Sequence, residues 1–496
     1  MERNTMERTK LIMIACLIAR MALAPHFSVA DPVASTSTAS QNQRAEIFDP
    51  KDYGAVGDGV TDDTAAFASV VAAATAGHGT IQIPAGTYVA TITVTKGGIN
   101  IQGAGIDATI IKAPSLTASP APSSVLGIAN SNYTIIKDLT IDGNKAARAG
   151  KRPTAYSSLL YQSSDCTIEN VRVINSTAIG IGISASKRTK LSKCEVDGSA
   201  WQNITTLNNK AGGCEGTVIS SCRSTNPGYD CVQVSNVGTV TVDGCYLAGS
   251  PFAGIYVTTG ARSVTLRNNT IANCYAGIDM SWGTAGGANS GPDTSEGNVI
   301  VGNHVTACEN VGISTASNGT LITRNTVSDT GLHAARTYTL LGQKTTIVSG
   351  GSGYTVGDIL TFVGGKYIKP AQVQITAIGI GGKVTSVTLP NRSTAYYLGV
   401  YTVRPPKPIF VTGGSGTGAT FDTTWDARGL EYAGIAIADA ANVAVTNNIS
   451  GNNPGNTAQQ YGVALFYQHT KPMHLTMSNN TLSRNAVASV APAKRR

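Results

Sequence analysis

Two acidic residues, Asp230 and Asp279, combine a residue type and a spacing that could do chemistry in this 496-residue chain. Asp230 lies at the start of one predicted strand, and Asp279 lies in the middle of another strand two repeats later. Parallel strands stack about 4.8 Å apart, so two repeats separate the two backbones by roughly 9 to 10 Å. Inverting glycosidases hold two carboxyl groups about 6.5 to 9.5 Å apart, which leaves room for a water molecule. The pair therefore predicts acid–base hydrolysis of a glycosidic bond.

Each aspartate also has a second interpretation. Asp230 follows a glycine and a tyrosine, and Asp is a preferred turn residue whose carboxylate accepts backbone hydrogen bonds. Catalytic and structural roles for Asp230 therefore both stay open. Asp279 is in mid-strand, where Asp is disfavoured, so we expect it to have either solvent contact or a catalytic role.

These residues are positioned by a strand repeat that recurs every 20 to 35 residues from Gly180 onward. In each copy, a small residue precedes an apolar, a variable and a second apolar position. Because side chains alternate along a strand, the apolar positions point inward and the variable one points to solvent. Such strands bury their apolar face only by stacking on their neighbours, so the repeat predicts a solenoid. The clearest copies are residues 231–234, 254–257, 277–280, 312–315, 434–437 and 462–465.

The variable positions predict one outward column of side chains that contains Gln233, Tyr256, Asp279 and Ser314. Trp282 follows Asp279 closely, so Tyr256 and Trp282 could stack on a sugar ring; exposed aromatic residues of a solenoid also stack on one another. We expect a glycan to lie along this column, with Gln233, Tyr256 and Trp282 as substrate-binding residues.

Three basic residues are further candidates for contact with the substrate. Lys187 and Arg188 lie in a predicted turn, and Arg262 lies beside later repeats. In a lyase, such cations would neutralise a uronate carboxylate and assist removal of the proton next to it. The alternative is a solvated turn, because basic residues are mostly exposed.

The start of the chain and its charge limit the classes of partner. Residues 1–30 have basic residues, an apolar run and then a small-residue cleavage pattern, which predicts a secretory signal and a secreted protein; residues 31–46 are a flexible lead. The formal net charge is +8, and +6 without residues 1–30. The body lacks the basic stripe of a nucleic-acid-binding protein, and no other run is long enough to span a membrane.

The cysteine and histidine patterns favour structure over cofactor chemistry. Five cysteines recur at a similar phase near the end of a repeat, and no CxxC pair occurs, so we expect buried filling residues. Disulfide bridges between neighbouring repeats are the alternative in an oxidising compartment. The histidines are scattered, so neither a metal site nor a cofactor is predicted. The five cysteines are Cys194, Cys222, Cys245, Cys274 and Cys308.

Residues 52–64 and 79–88, with an Ala-rich helix between them, closely resemble the opening of pectate-lyase-superfamily proteins of the polygalacturonase, epimerase-like and phage-tailspike type. The resemblance covers residues 47–338 and 427–490. It implies an all-β fold, a single-stranded right-handed parallel β-helix with a short N-terminal capping helix. Residues 228–232 are similar to the polygalacturonase phrase Gly-Asp-Asp-Cys-Ile, whose second Asp matches Asp230 and whose first is Tyr229 here.

The repeat stops between residues 339 and 426, where a Gly-rich segment predicts an inserted small β domain. A role in glycan contact or oligomerisation is a hypothesis for this insert. Repeats resume over residues 427–490, and residues 491–496 form a basic tail.

Together these patterns predict an exported enzyme that degrades an acidic or complex polysaccharide, an endo-acting glycoside hydrolase with Asp279 and Asp230 as the acid and base. A polysaccharide lyase that acts by β-elimination on a uronate polymer is the first alternative. A non-catalytic glycan-binding or tailspike-like surface protein is the second, and it would form a homo-oligomer, a trimer if it is tailspike-like.

Overall fold

A computed structural model describes residues 46–77, 79–115, 124–148, 156–207, 213–235, 238–258, 260–280, 296–331, 337–340, 345–388, 400–428, 433–467 and 474–495. The predicted signal, residues 1–30, and the lead up to residue 45 lie outside these ranges. The chain divides into two compact units. The first comprises Met1–Glu195, Thr206–Cys222 and Gly286–Pro292; the second comprises Val196–Thr205, Arg223–Ala285 and Asp293–Arg496.

The predicted N-terminal helix is present over Thr64–Gly77. The carbonyl of Asp63 accepts the first helical hydrogen bond from the Phe67 N–H at 3.0 Å. The buried Asp63 carboxylate turns back and accepts the N–H groups of Val56 and Gly57 at 2.7 and 3.2 Å. The helix start is thus tied to the turn before it, as expected for a capping element. In the described part of the chain, three further short helices are of the 3₁₀ type: Pro50–Tyr53, Ala146–Arg148 and Ile380–Gly382.

Parallel strands make up the rest of the first unit. Tyr156 pairs with Ile179 on one side and Ser124 on the other, in register with the neighbouring strands. One set is Ile92–Val94, Ser124–Ala129, Tyr156–Tyr161 and Ile179–Ser184. The other set is Ile47–Phe48, Asp58–Asp62, Thr80–Ile83, Gly86–Val89, Asn100–Gly103, Thr109–Lys112, Ile135–Asp142, Thr167–Ile174, Lys190–Ser192 and Val218–Ser220. Glu195–Asp197 and Ile204–Leu207 are strands divided between the units.

In the second unit, each coil contributes three short strands, as in Thr265–Arg267, Thr270–Ala272 and Ala276–Met280. The predicted repeats form one parallel sheet, which we call the repeat sheet. Its strands are Val232–Ser235, Ala253–Val257, Ala276–Met280, Val311–Thr315, Ala433–Ala438, Tyr461–Tyr467 and Ala488–Arg495. The remaining coil strands are Arg223–Thr225, Thr241–Asp243, Tyr246–Ala248, Thr265–Arg267, Thr270–Ala272, Val299–Val301, His304–Thr306, Leu321–Thr323, Thr326–Ser328, Ala444–Thr446, Ile449–Gly451, Thr476–Ser478 and Thr481–Ser483.

The apolar positions of the repeat stack in register and form the interior of the second unit. Ile255, Ile278, Ile313, Ile435 and Val463 are successive partners, and each is fully buried. The prediction that the repeat is a stacked coil is therefore confirmed. The last strand, Ala488–Arg495, pairs with Tyr461–Tyr467. The predicted basic tail, residues 491–496, is therefore part of this sheet as far as residue 495.

The predicted insert is a separate antiparallel β domain. Its entry strand, Thr337–Leu340, pairs with its exit strand, Trp425–Arg428. The strand Thr346–Ser352 pairs with the strand Thr417–Asp422, with Gly350 opposite Ala419. Fully buried side chains such as Phe421 give the insert its own core. Its other strands are Thr346–Ser352, Ile359–Phe362, Lys366–Lys369, Gln372–Gly379, Lys383–Thr388, Val400–Val403, Ile409–Thr412 and Thr417–Asp422.

Five asparagines form a ladder along one turn column of the second unit. The Nδ2 of each donates to the Oδ1 of the next, at 2.9 to 3.0 Å. The backbone N–H of each also donates to the same oxygen. The ladder runs through Asn269, Asn303, Asn325, Asn448 and Asn480.

The eight cysteines within the described ranges are buried and have free thiols, which agrees with the predicted filling role over disulfide bridges. Burial raises the pKa of the Cys231 and Cys308 thiols. Among the residues that the structure describes, none of the helices is long and apolar enough to cross a membrane.

Candidate functional site

The register of the repeat sheet brings the predicted column together. Gln233 lies opposite Tyr256, Tyr256 opposite Asp279, and Asp279 opposite Ser314. Each step is one strand spacing of about 4.8 Å. Side chains that are distant in the sequence therefore form one line across four coils, as predicted.

The prediction that this column points to solvent is wrong for most of its length. Tyr256 and Asp279 each have 6% of their surface exposed, Ser314 has 1%, and only Gln233 is half-buried. The cause is the apolar character of the same face. Small and aromatic residues pack together there in a buried apolar cluster outside the coil interior. The cluster contains Ala253, Ala276, Val311, Ala433 and Ala436 with Tyr256.

Asp279 is thus a buried carboxylate beside an apolar cluster. The Ser314 hydroxyl, on the next coil, donates a hydrogen bond to its Oδ1 at 3.0 Å. A buried carboxylate needs such partners, because its desolvation is costly. The arrangement fixes the orientation of the carboxylate, which a general base or acid also requires.

Asp230 does not join Asp279 in this column. Its fully buried carboxylate accepts the Ala253 N–H of the next coil at 3.2 Å. Ala253 is opposite Ala276, three residues before Asp279. Asp230 and Asp279 are therefore offset by two coils and by three residues along the strand, which separates their backbones by about 14 Å. The spacing predicted for the pair from the repeat alone omitted this displacement along the strand, and the observed bond supports the structural role of Asp230.

An aromatic column lies immediately beside the first column, and the sequence analysis missed it. The rings of Tyr229 and Phe252 stack with centroids 4.6 Å apart, and Phe252 meets Tyr256 edge-on at 5.2 Å. Tyr275 occupies the next coil, because Ala253 and Ala276 are partners and each follows its aromatic residue. Phe252 and Tyr275 are half-buried. The missed signal is an aromatic residue one or two positions before the small residue in three successive repeats.

The three predicted basic contacts are all in ion pairs. Lys187 Nζ lies 2.6 Å from a Glu215 carboxylate oxygen, and Arg188 makes two 2.6 Å bonds to Asp165. These bonds lower the pKa of Asp165 and raise that of Arg188. Both basic residues belong to the first unit.

Arg262 belongs to the second unit and lies 3.7 Å from Glu296. The side chains in these pairs are partly exposed. The solvated-turn interpretation therefore fits the three basic residues better than contact with a uronate.

Two further expectations concern Trp282 and a metal site. Trp282 lies outside the residues that the structure describes. Within the described ranges, no group of three or more His, Cys, Asp or Glu side chains could hold a metal ion.

Comparison with known proteins identifies the fold. Residues 47–291 match the model of a family described as Rhamnogalacturonase A/epimerase, pectate lyase-like. The chain is 38% identical over 120 residues to Mannuronan C5-epimerase AlgE2 of Azotobacter vinelandii, which covers 21% of this chain and 12% of the epimerase. It is 27% identical over 248 residues to the Pre-neck appendage protein of Bacillus phage B103, which covers 46% and 26% of the two chains.

Among solved structures, the A-module of the Azotobacter vinelandii Mannuronan C-5 epimerase AlgE4 superposes with a TM-score of 0.54 at 13% identity, over 90% of this chain and 97% of that one. The chain spans about a quarter or less of the two curated relatives, so these matches identify architecture and not activity. The resemblance predicted from residues 52–64 and 79–88 is confirmed. The protein has the right-handed parallel β-helix fold of the pectate-lyase-like proteins.

Proposed function

We propose that this protein modifies a uronate-containing polysaccharide by removing the proton at C5 of a uronate residue. One observation carries the proposal: Gln233, Tyr256 and Asp279 lie in line on consecutive coils beside the aromatic column. Phe252 and Tyr275 offer ring faces to sugars, and the half-buried Gln233 marks the accessible end of the line. The similarity to a mannuronan C5-epimerase supports a uronate polymer as the substrate class.

In the proposed reaction, the Gln233 amide donates a hydrogen bond to the uronate carboxylate. The Asp279 carboxylate removes the C5 proton, and the electron pair of the C5–H bond stays on the substrate and moves towards the uronate carboxylate. The Tyr256 hydroxyl, opposite Asp279, then supplies a proton. Delivered to the oxygen leaving C4, this proton completes elimination with a new C4–C5 double bond. A proton delivered instead from solvent to the other face of C5 completes epimerisation.

We prefer proton removal to two-carboxylate hydrolysis because the backbone of Asp230 is displaced along the strand relative to Asp279. Asp230 is held by the Ala253 N–H and is about three residues out of line with Asp279. The backbone separation of about 14 Å is larger than the roughly 9 to 10 Å expected from the repeat alone, and the Asp230 carboxylate already accepts a backbone N–H. The opposed pair Tyr256 and Asp279 requires only one carboxylate.

Non-catalytic glycan binding is the second candidate, and the burial of Asp279 favours it. A side chain with 6% exposure and a hydrogen bond from Ser314 is also a stable structural element. Under this alternative, the aromatic column alone holds the polymer. An extracellular or surface location fits both candidates and is part of the proposal.

The test is a product analysis on polymannuronate, alginate and pectate. Elimination gives ultraviolet absorbance together with new reducing ends, and epimerisation in D₂O gives deuterium at C5 without chain cleavage. Reducing ends without absorbance or deuterium would indicate hydrolysis and contradict the proposal. Binding without any product would favour the second candidate.

Variants then locate the reaction. Asp279→Asn and Tyr256→Phe each remove a proton-transfer group, so kcat should fall by about 10²-fold or more. Tyr246→Phe is the matched control, because Tyr246 is a partly exposed tyrosine of the same unit on a strand outside the repeat sheet. Full activity of Asp279→Asn would exclude the proposed base.

A further inference from the structure

A patch of exposed apolar and basic side chains lies on the inserted β domain. Apolar residues normally avoid such exposure in clusters, and a contiguous exposed group of them indicates a binding surface. The exposed fractions are 43% for Val363, 52% for Tyr367, 51% for Val403 and 61% for Phe410. We call these four residues, with Lys366 and Arg404, the aromatic–basic patch.

The backbone brings the members of the patch together. Val363 donates its N–H to the Phe410 carbonyl at 2.8 Å, which places the two residues opposite each other on neighbouring strands. Lys366 is the register partner of Val403, and Arg404 is the next residue. The two strand pairs belong to different sheets of the insert, and two glycines link Val363 to Lys366 along the chain.

The exposed aromatic residue of the patch is held rigidly from below. The Tyr367 ring meets the buried Tyr401 ring at 5.6 Å, and Tyr401 meets Trp425 at 4.8 Å. The Tyr401 hydroxyl accepts the Ala371 N–H at 3.1 Å. A ring supported in this way loses little conformational entropy when a ligand stacks on it.

The charge of the insert is unusually positive. Residues 339–426 contain seven basic and three acidic residues, a net charge of +4, which is half the formal charge of the whole chain. Two of the acids are already engaged. Asp422 pairs with Lys407 at 2.5 Å, and the Asp358 carboxylate accepts hydrogen bonds from Ser415 and Thr355.

We propose that the aromatic–basic patch is a second glycan site, which binds an acidic polysaccharide without modifying it. Tyr367 would stack on the apolar face of a sugar ring, and Lys366 and Arg404 would pair with its carboxylates. Charge complementarity favours this occupant over a second copy of the chain, because two inserts of charge +4 repel each other. Only the uronate chemistry of the ligand rests on the proposed function; the site itself does not need an active repeat sheet.

The experiment measures binding of the full chain to polymannuronate, with a neutral glucan, double-stranded DNA and no polymer as comparisons. The test variant combines Lys366→Gln, Tyr367→Ala and Arg404→Gln. Its affinity for polymannuronate should fall about tenfold or more, since a charge-assisted contact and a stacking contact are both lost. The control variant combines Lys383→Gln and Val348→Ala, an exposed cation and an exposed apolar residue of the same insert outside the patch; its affinity should not change.

Activity on a short uronate oligomer separates this site from the proposed reaction site. The patch variant should keep its kcat on the oligomer, and its KM on the long polymer should rise. If the protein has no activity on either substrate, the comparison of polymannuronate affinities still tests whether the patch binds the polymer. Unchanged polymannuronate affinity in the patch variant, equal affinity of the wild type for DNA, or a patch-dependent dimer in sedimentation would each overturn the proposal.

Discussion

Replacement of Asn303 by alanine should strongly destabilise the second unit, because Asn303 is an interior member of the asparagine ladder. The residue is 1% exposed. Its Oδ1 accepts the N–H and Nδ2 of Asn269 at 3.0 and 2.9 Å. Its Nδ2 donates to the Leu266 carbonyl and to Asn325 Oδ1, both at 2.9 Å. Alanine removes all of these side-chain bonds and supplies no replacement.

The expected loss follows from the groups left behind. Two donors of Asn269, its backbone N–H and one Nδ2 hydrogen, lose their acceptor in a buried position. An unsatisfied buried polar group costs about 1 to 3 kcal/mol, so the two together predict a loss of about 2 to 6 kcal/mol. Asn453→Ala is the control: Asn453 is exposed, and its side chain donates to the Asp329 carboxylate at 2.5 Å, so a change below about 1 kcal/mol is expected.

The assay is urea unfolding of the wild type and both variants, followed by far-ultraviolet circular dichroism. Coils of a solenoid contact only their neighbours and can unfold in parts, so the slope of the transition is compared as well as its midpoint. A lower slope together with a lower midpoint would mean that the coils unfold separately around residue 303. A free energy of unfolding for Asn303→Ala within about 0.5 kcal/mol of the wild type would refute the role given to the ladder.

Two further predictions concern other parts of the chain. Gly277→Ala should lower the free energy of unfolding by about 1 to 3 kcal/mol in thermal melts, because a Cβ there would lie 2.4 Å from the Gly312 carbonyl oxygen. Gly379→Ala is the control: a Cβ there would lie 3.4 Å from its nearest neighbour, so the change should be nearly neutral. In the insert, the N–H and hydroxyl of Ser415 donate to the Asp358 carboxylate and help to hold its pKa well below its ordinary value. The ionised Asp358 therefore stabilises the folded state fully above about pH 4, and this stabilisation is lost as the pH falls through the lowered folded-state pKa. Melting curves should therefore show that Asp358→Asn lowers the melting temperature near neutral pH and has a much smaller effect near pH 2; an equal effect at both pH values would contradict this assignment.

The sequence was sufficient to predict the fold because the repeat is local. One small residue before an alternating triplet gives both the inward face and the register, and Ile255, Ile278 and Ile313 stack as that pattern predicts. The insert was visible for the same reason, since the pattern stops before it and resumes after it. The N-terminal helix was predictable from its Ala-rich composition.

The site was only partly predictable, because its environment depends on what packs outside the sheet. Alternation correctly put Tyr256, Asp279 and Ser314 in one line. It could not show that their face is apolar and buried, since burial comes from tertiary packing beyond the strand. Asp230 shows a second limit: a repeat count gives the number of coils between two residues but not their displacement along the strand.

The insert and the repeat sheet carry the two proposed sites on separate structural elements. The coil register continues across it, because Val311–Thr315 pairs directly with Ala433–Ala438 and Ile313 meets Ile435. The insert therefore leaves one turn without displacing the strands that align Tyr256 and Asp279. Substitutions in the aromatic–basic patch can change affinity for a long polymer while the geometry of the column stays fixed. A protein with this arrangement can adjust polymer affinity through the insert and chemistry through the repeat sheet independently, so patch and column variants should have additive effects on the free energy of polymer turnover.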